Sequence, residues 1–156
     1  MYHYTESGLD NVWLENGYSE KQTAYGKATS IDDADGLHQV LAIEITNKKG
    51  QITGKELRFL RVLLGLSQEG IAKMIGVTEQ SVSLWERTGK VPKPTDTVVR
   101  LLVLERLNGN GKISEVIERI NNVERLVNQR IVARETRRRW TSKVSAAEDE
   151  RFALAA

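Results

Sequence analysis

The sequence predicts a mainly α protein: a bundle of short helices, with a small α+β segment in front and a long helix behind. Three observations carry this. Apolar residues recur at helical spacing from about residue 34 to residue 131. Glycines and hydroxyl-bearing caps divide the middle of that stretch into short pieces. The first 31 residues instead are rich in Tyr, Gly, Asn, Ser and Thr, with short β-favouring runs. The expected organisation is an α+β segment over 1–50, a helical domain over 51–111, an amphipathic helix over 112–140 and a flexible tail over 141–156.

The chain has 156 residues, 28% charged and 40% hydrophobic, which suits one compact domain or two small ones. It has no cysteine, which excludes disulfide scaffolds, thiolate zinc sites and cysteine catalysis. Two histidines make a His-rich metal site unexpected. There is no 18-residue apolar run and no signal-peptide pattern at Met1-Tyr2-His3-Tyr4, so a cytoplasmic protein without membrane contact is expected. The net charge of +2 hides an asymmetry: residues 1–49 carry 4 basic and 8 acidic side chains, residues 50–111 carry 9 and 6, and residues 112–156 carry 10 and 7. An acidic front joined to basic middle and rear segments suggests separate partners.

In the front, "NVWLENGYS" surrounds Asn16-Gly17, a hairpin signal, and "QTAYGKATSI" adds a weaker strand. Ala34, Leu37, Leu41 and Ile45 then recur at helical spacing, with Asp32 or Asp33 as cap and Gly50 as stop. This front has too few large apolar residues for a robust core and is expected to pack on something else. Thr53 and Glu56 form a capping box for a helix with Leu57, Leu60 and Leu64 inward, ended by Gly65. Ser67 caps a second helix, with Ile71, Ala72 and Ile75 inward, ended by Gly76. Thr78 caps a third, with Val82 and Trp85 inward. After the loop "TGKVPKP", Thr95 or Asp96 opens a helix through "VVRLLVLERL". The rear helix carries the stripe Ile113, Val116, Ile117, Ile120, Val123, Val127 and Ile131.

Three short helices with glycine-ended turns, the third presenting Glu79, Gln80, Ser81, Ser83 and Arg87 outward, form a unit that offers its third helix to the major groove of DNA. Leu60-Arg61, "GLSQ" (65–68), "IA" (71–72), "IGV" (75–77) and "TEQSVSLWERTG" (78–89) resemble the Xre/Cro-type helix-turn-helix over about 50 residues. That resemblance implies a lambda-repressor-like bundle. It also implies that Gln68 touches phosphate and that Glu79, Gln80, Ser83 and Leu84 read bases. The chemistry suits each role: Gln80 can hold adenine bidentately, Glu79 can accept from cytosine N4, and Leu84 can touch a thymine methyl. Glu79 has an equally simple role as a favourable charge at a helix N-terminus. The expected phosphate contacts are Ser67, Gln68, Thr78, Ser81, Arg87, Lys90 and Lys93, from helix N-termini and sequence-blind cations. Val62, Leu63 and Leu64 stand where the family is usually polar and, with Phe59, give the first helix a second apolar face for the front segment or a second subunit.

The layout, and "LRFLRVLLGLSQ" with "SVSLWERTGKVP", further resemble MqsA/YgiT-type antitoxins. Those usually carry a zinc finger in front, and without cysteines no zinc function carries over. The resemblance implies a dimer on a palindromic operator and a front domain that binds a toxin. Trp13, Tyr18 and Tyr25 are then either partner anchors or the core of a small sheet. His38 is expected to decorate the front helix.

The rear stripe either closes the bundle core or forms a dimer seam, since 113, 116, 120, 123 and 127 keep a 3-4 spacing. "RETRRRW" (134–140) either grips phosphate or a minor groove or is a solvated charge run. "GNGK" (109–112) lacks the upstream glycine of a phosphate loop, and "DDADG" (32–36) fails the calcium-loop positions. No enzyme activity and no cofactor are expected. The functional expectation is a dimeric operator-binding repressor. The alternatives are an autoregulating antitoxin of a toxin–antitoxin pair and an interaction module without DNA binding. The ending "ERFALAA" resembles a ribosome-rescue degradation tag, or is simply an unstructured Ala-rich end. On the tag reading, Ala155→Asp with Ala156→Asp lengthens the cellular half-life in a pulse-chase; an unchanged half-life overturns it.

Overall fold

The computed structural model describes residues 1–109, 112–122 and 129–146. The chain divides into two units, residues 1–121 and 122–156. In the first, β1 (Tyr2–His3) pairs antiparallel with β2 (Trp13–Leu14), and β3 (Tyr18–Thr23) pairs antiparallel with β4 (Gly26–Ile31). The expected hairpin closed by Asn16-Gly17 is corrected: Gly17 does turn the chain, at φ 76°, but between strands of different sheets. The two-residue β2 is already paired, Leu14 facing Tyr2. The six-residue run at Tyr18 finds its partner downstream, across Ala24-Tyr25.

Five helices follow closely. Helix α1 (Ala34–Thr46) is capped by Asp33, whose carboxylate accepts from the Gly36 N–H at 3.1 Å, and it stops at Asn47, before the expected Gly50. Helix α2 (Gly54–Leu63) begins with both halves of the Thr53–Glu56 capping box. Ser67 caps α3 (Gln68–Ile75) and Thr78 caps α4 (Glu79–Thr88); Gly76 and Gly89, both at φ 75°, end them. Only a left-handed residue lets the chain leave those helices so abruptly. Helix α5 (Lys93–Leu107) opens after Pro92, with Pro94 in its first turn, rather than at Thr95 or Asp96. Both of those are buried. Asp96 is not a cap: it accepts from the Ile52 N–H at 3.2 Å and from Arg100 Nε at 2.5 Å. Arg100 in turn donates to the carbonyls of Lys48, at 2.7 Å, and Gly50. This pair fastens the α1–α2 connection onto α5.

One core runs through the unit. Tyr4, Leu9, Val12 and Leu14 of the front join Ala42 and Ile45 of α1, Leu57, Phe59 and Leu60 of α2, Ile71 and Ala72 of α3, Val82 of α4, and Val99 and Val103 of α5. The front therefore shares the helices' hydrophobic core. His38 does not decorate α1. It lies half-buried, 2.9 Å from the Tyr4 hydroxyl and edge-on to Phe59 at 5.7 Å. Burial pushes the Tyr4 pKa up, which keeps that hydroxyl protonated. Leu63 and Leu64 pack against the core while Val62 is exposed, so only part of the second apolar face of α2 is covered.

The long rear helix is corrected. Helix α6 (Lys112–Asn122) covers only the start of it, and residues 129–146 form a hairpin of β5 (Gln129–Thr136) and β6 (Arg139–Ala146). Ile131, Val132, Thr136, Trp140, Thr141 and Val144 are β-branched or aromatic and favour strands. Residues 141–146, expected in the tail, belong to β6. Val123 and Val127 of the stripe and the terminal Leu154-Ala155-Ala156 lie outside the described residues. The Asn121 amide donates to the carbonyls of Lys73 and Met74, both at 2.8 Å, tying α6 to the end of α3. The two-residue turn Arg137-Arg138 has φ of 54° and 61°, a type I′ geometry that costs a non-glycine residue about 1–3 kcal/mol each.

Gly54 begins α2 against the end of α4. A Cβ there would fall 2.7 Å from the Trp85 carbonyl oxygen and closer still to that of Glu86. Gly54→Ala is therefore expected to cost about 1–3 kcal/mol, read as a lower urea midpoint at unchanged slope.

Candidate nucleic-acid interface

The interface begins with a buried ion pair. Arg61, in the last turn of α2, donates from Nε to Glu86 Oε1 at 2.6 Å, and both side chains are nine-tenths buried. Arg61 Nη1 donates to the Leu66 carbonyl at 2.9 Å, holding the turn into α3. Gln68, the first residue of α3, donates from Nε2 to Glu86 Oε2 at 2.7 Å. One carboxylate on α4 thus collects donors from α2 and α3 and fixes the three helices polar-side to polar-side. Val82, fully buried, anchors α4 on the apolar side.

With Val82 and Glu86 turned inward, the opposite face of α4 is left to solvent. Glu79, Gln80 and Arg87 are exposed, Leu84 is 48% exposed and Ser83 is half-buried. These are residues of the expected base-reading set together with Arg87. Ser67, Gln68, Glu79, Ser83 and Arg87 line one broad groove, with Lys55 and Arg58 of α2 beside them. Glu6 and Asp35 of the front line the same groove. Gln80, Leu84, Lys90 and Lys93 do not line it; Lys90 and Lys93 are exposed on and after the α4–α5 loop.

The hydroxyls expected on phosphate are occupied locally. Ser67 Oγ accepts from the Gly70 N–H at 2.9 Å, and Thr78 Oγ1 accepts from the Ser81 N–H at 3.2 Å while touching Ser81 Oγ at 2.8 Å. What these caps leave available are the first N–H groups of α3 and α4, an anion-favouring arrangement. The Gln68 amide nitrogen carries two hydrogens. Glu86 takes one, and among the described residues the second has no acceptor, so it can meet one such as a phosphate oxygen. Arg87 makes a long bond, 3.4 Å, to the Ser83 carbonyl.

Sequence reasoning missed the role of Glu86. Its position four after Val82, on the inward face, was the available signal. It also passed over Lys55 and Arg58. Lys55 pairs with Asp10 of the front. Among the described residues no group of three or more His, Asp or Glu is placed to hold a metal ion, and no helix is long and apolar enough to cross a membrane.

Breaking the buried pair from one side strands a charge. Glu86→Ala is expected to cost about 3–5 kcal/mol in urea unfolding, and Arg61→Met with Glu86→Leu distinctly less, because no charge is then left buried alone.

Residues 57–103, from α2 through most of α5, match the family described as Helix-turn-helix. No curated protein and no solved structure matches the chain.

Proposed function

We propose that the protein is a sequence-specific DNA-binding transcriptional regulator that acts as a dimeric repressor at a palindromic operator. The observation that carries this is the outward row Glu79, Gln80, Ser83 and Leu84 on a helix whose inner side is locked by Val82 and Glu86. In this reading Gln80 and Ser83 read bases, and Leu84 meets a thymine methyl. Gln68 and the N-termini capped by Ser67 and Thr78 set the register on phosphates, where Ser81 sits at the first turn of α4. Arg87, Lys90 and Lys93 add sequence-blind attraction. The family match over 57–103 supports the DNA-binding part. Two-fold operators need two copies with half-sites about 34 Å apart. Val116 and Ile120, 51% and 67% exposed on α6, support a seam there, as much of their apolar surface is left open.

A second reading extends the first. The front carries Trp13, 58% exposed, and a fully exposed Tyr25, while Tyr18 is half-buried and stacked on Tyr2. Trp13 stacks on His3 within the β1–β2 pair, yet it and Tyr25 are left largely to solvent. Large exposed aromatics on an acidic segment suit a basic protein partner, as in an antitoxin that represses its own operon. The protein works without a cofactor and carries no catalytic activity in either reading.

In gel shifts with DNA upstream of its own gene, Gln80→Ala is expected to lose about 1–3 kcal/mol of discrimination at one base position. Equal binding of the unaltered protein to that DNA and to random duplex overturns the repressor reading and leaves an interaction module.

A further inference from the structure

The β5–β6 ribbon sorts its side chains by charge. Directly opposed residues share a face, as do residues two apart. One face carries Arg130 opposite Ser145, Lys143 opposite Val132, Arg134 opposite Thr141 and Arg139 opposite Thr136. Each of these four rungs holds one cation, and the cation alternates between strands from rung to rung. No two cations are directly opposed. The other face pairs Gln129 with Ala146, Ile131 with Val144, Ala133 with Ser142 and Glu135 with Trp140; its one charged side chain is acidic. The described residues 129–146 hold six basic side chains against one acidic.

The turn adds a second, independent observation. A type I′ turn calls for Asn-Gly, since both central residues must take positive φ. This ribbon has Arg137-Arg138 there, at φ 54° and 61°. The conformation is held by the Glu135 side chain, which accepts from the Arg138 N–H at 2.5 Å. Two arginines, which positive φ does not favour, occupy the turn and bring the ribbon's charge to its tip. Strain of this kind at an exposed position points to a use for the side chains.

We propose that this ribbon is a second duplex-DNA contact, laid in the major groove with its basic face toward the phosphates and its arginine tip leading. This rests on the DNA-binding reading of the helical unit. The dimensions fit. A two-stranded ribbon enters the roughly 12 Å major groove, whereas the roughly 6 Å minor groove is too narrow for it. Successive rungs on one face lie about 7 Å apart. Alternating strands turn two cations toward each phosphate wall, so the charge ladder neutralises both walls at once. The groove floor meets Val132, Thr136, Thr141 and Ser145, none of which has the donor–acceptor fork that distinguishes one base pair from another. The ribbon therefore contributes affinity and salt dependence rather than sequence choice.

The test uses the full chain and a 30-base-pair duplex of arbitrary sequence, with binding measured against KCl concentration. Arg130→Gln, Arg134→Gln, Arg139→Gln and Lys143→Gln together are expected to reduce the slope of log K against log salt by about 3 to 4. All four side chains are exposed, so the fold survives the change. Arg137→Asn with Arg138→Gly improves the turn and is expected to raise amide protection in β5 and β6 while lowering the slope by about 2. A purely structural turn predicts the first effect without the second. Slopes equal to the unaltered protein's in both variants overturn the proposal. So does a variant that keeps its duplex slope but loses binding to phosphatidylserine vesicles, which would make the face a membrane contact. Failure of the helical reading looks different: Lys90→Gln with Lys93→Gln then leaves the slope unchanged, and the DNA upstream of the gene is bound no better than the arbitrary duplex.

Discussion

The carboxylate of Glu86 is the point on which the helical unit turns. It receives Arg61 from α2 and Gln68 from α3 while belonging to α4, so three helices meet at one buried charge. An unpaired carboxylate in that position would be costly, and Arg61 and Gln68 together satisfy it. The geometry that results is specific: a hydrophobic contact between the same helices is non-directional, whereas the ion pair and the amide hydrogen bond are directional. The outward row of α4 is consequently presented at a fixed angle relative to the start of α3. Reading a rigid duplex requires such pre-set geometry, because a side chain immobilised only on binding weakens the complex.

A second polar clasp repeats the logic at the other end of the unit. Asp96 and Arg100 of α5 hold the Ile52 N–H and the carbonyls of Lys48 and Gly50. These are backbone groups of the connection between α1 and α2, which no regular hydrogen bonding would satisfy. The acidic front is thereby fixed to the helices through this connection and through His38, which bonds to Tyr4 and lies edge-on to Phe59 of α2. The groove beside α4 is lined by charges of both signs, Glu6, Asp35 and Glu79 together with Lys55, Arg58 and Arg87.

Legibility in the sequence followed locality. The capping box of Thr53 and Glu56, the caps Ser67 and Thr78 and the stops at Gly65 and Gly76 involve neighbours within a few residues, and all were readable. The outward face of α4 followed from its inward one. Pairings across distance were not. Glu86 pairs with Arg61 25 residues away, and Asp96 bonds to Ile52 44 residues away; nothing in the spacing announces either. Asp96 read as a cap because its residue type favours caps, yet its helix had already begun at Lys93. Asn16-Gly17 was recognised as a turn but assigned to the wrong strands, since strand partners are set by length and packing rather than by the turn. The rear hairpin was missed because Ile131 fits a helical stripe and a strand equally, and the run of arginines that forms its turn lacks the glycine or asparagine that usually marks one.

Gly54 couples the front to α4 through direct backbone contact. Its missing side chain allows the first turn of α2 to rest directly on the last carbonyls of α4. The front connects to that turn through Ile52, which is itself buried and hydrogen-bonded to Asp96. There is no compressible layer between them. A load applied to the front is therefore delivered as a push of backbone on backbone at the C-terminal end of α4. The glycine works as a stiff bearing, where any larger residue would act as a wedge.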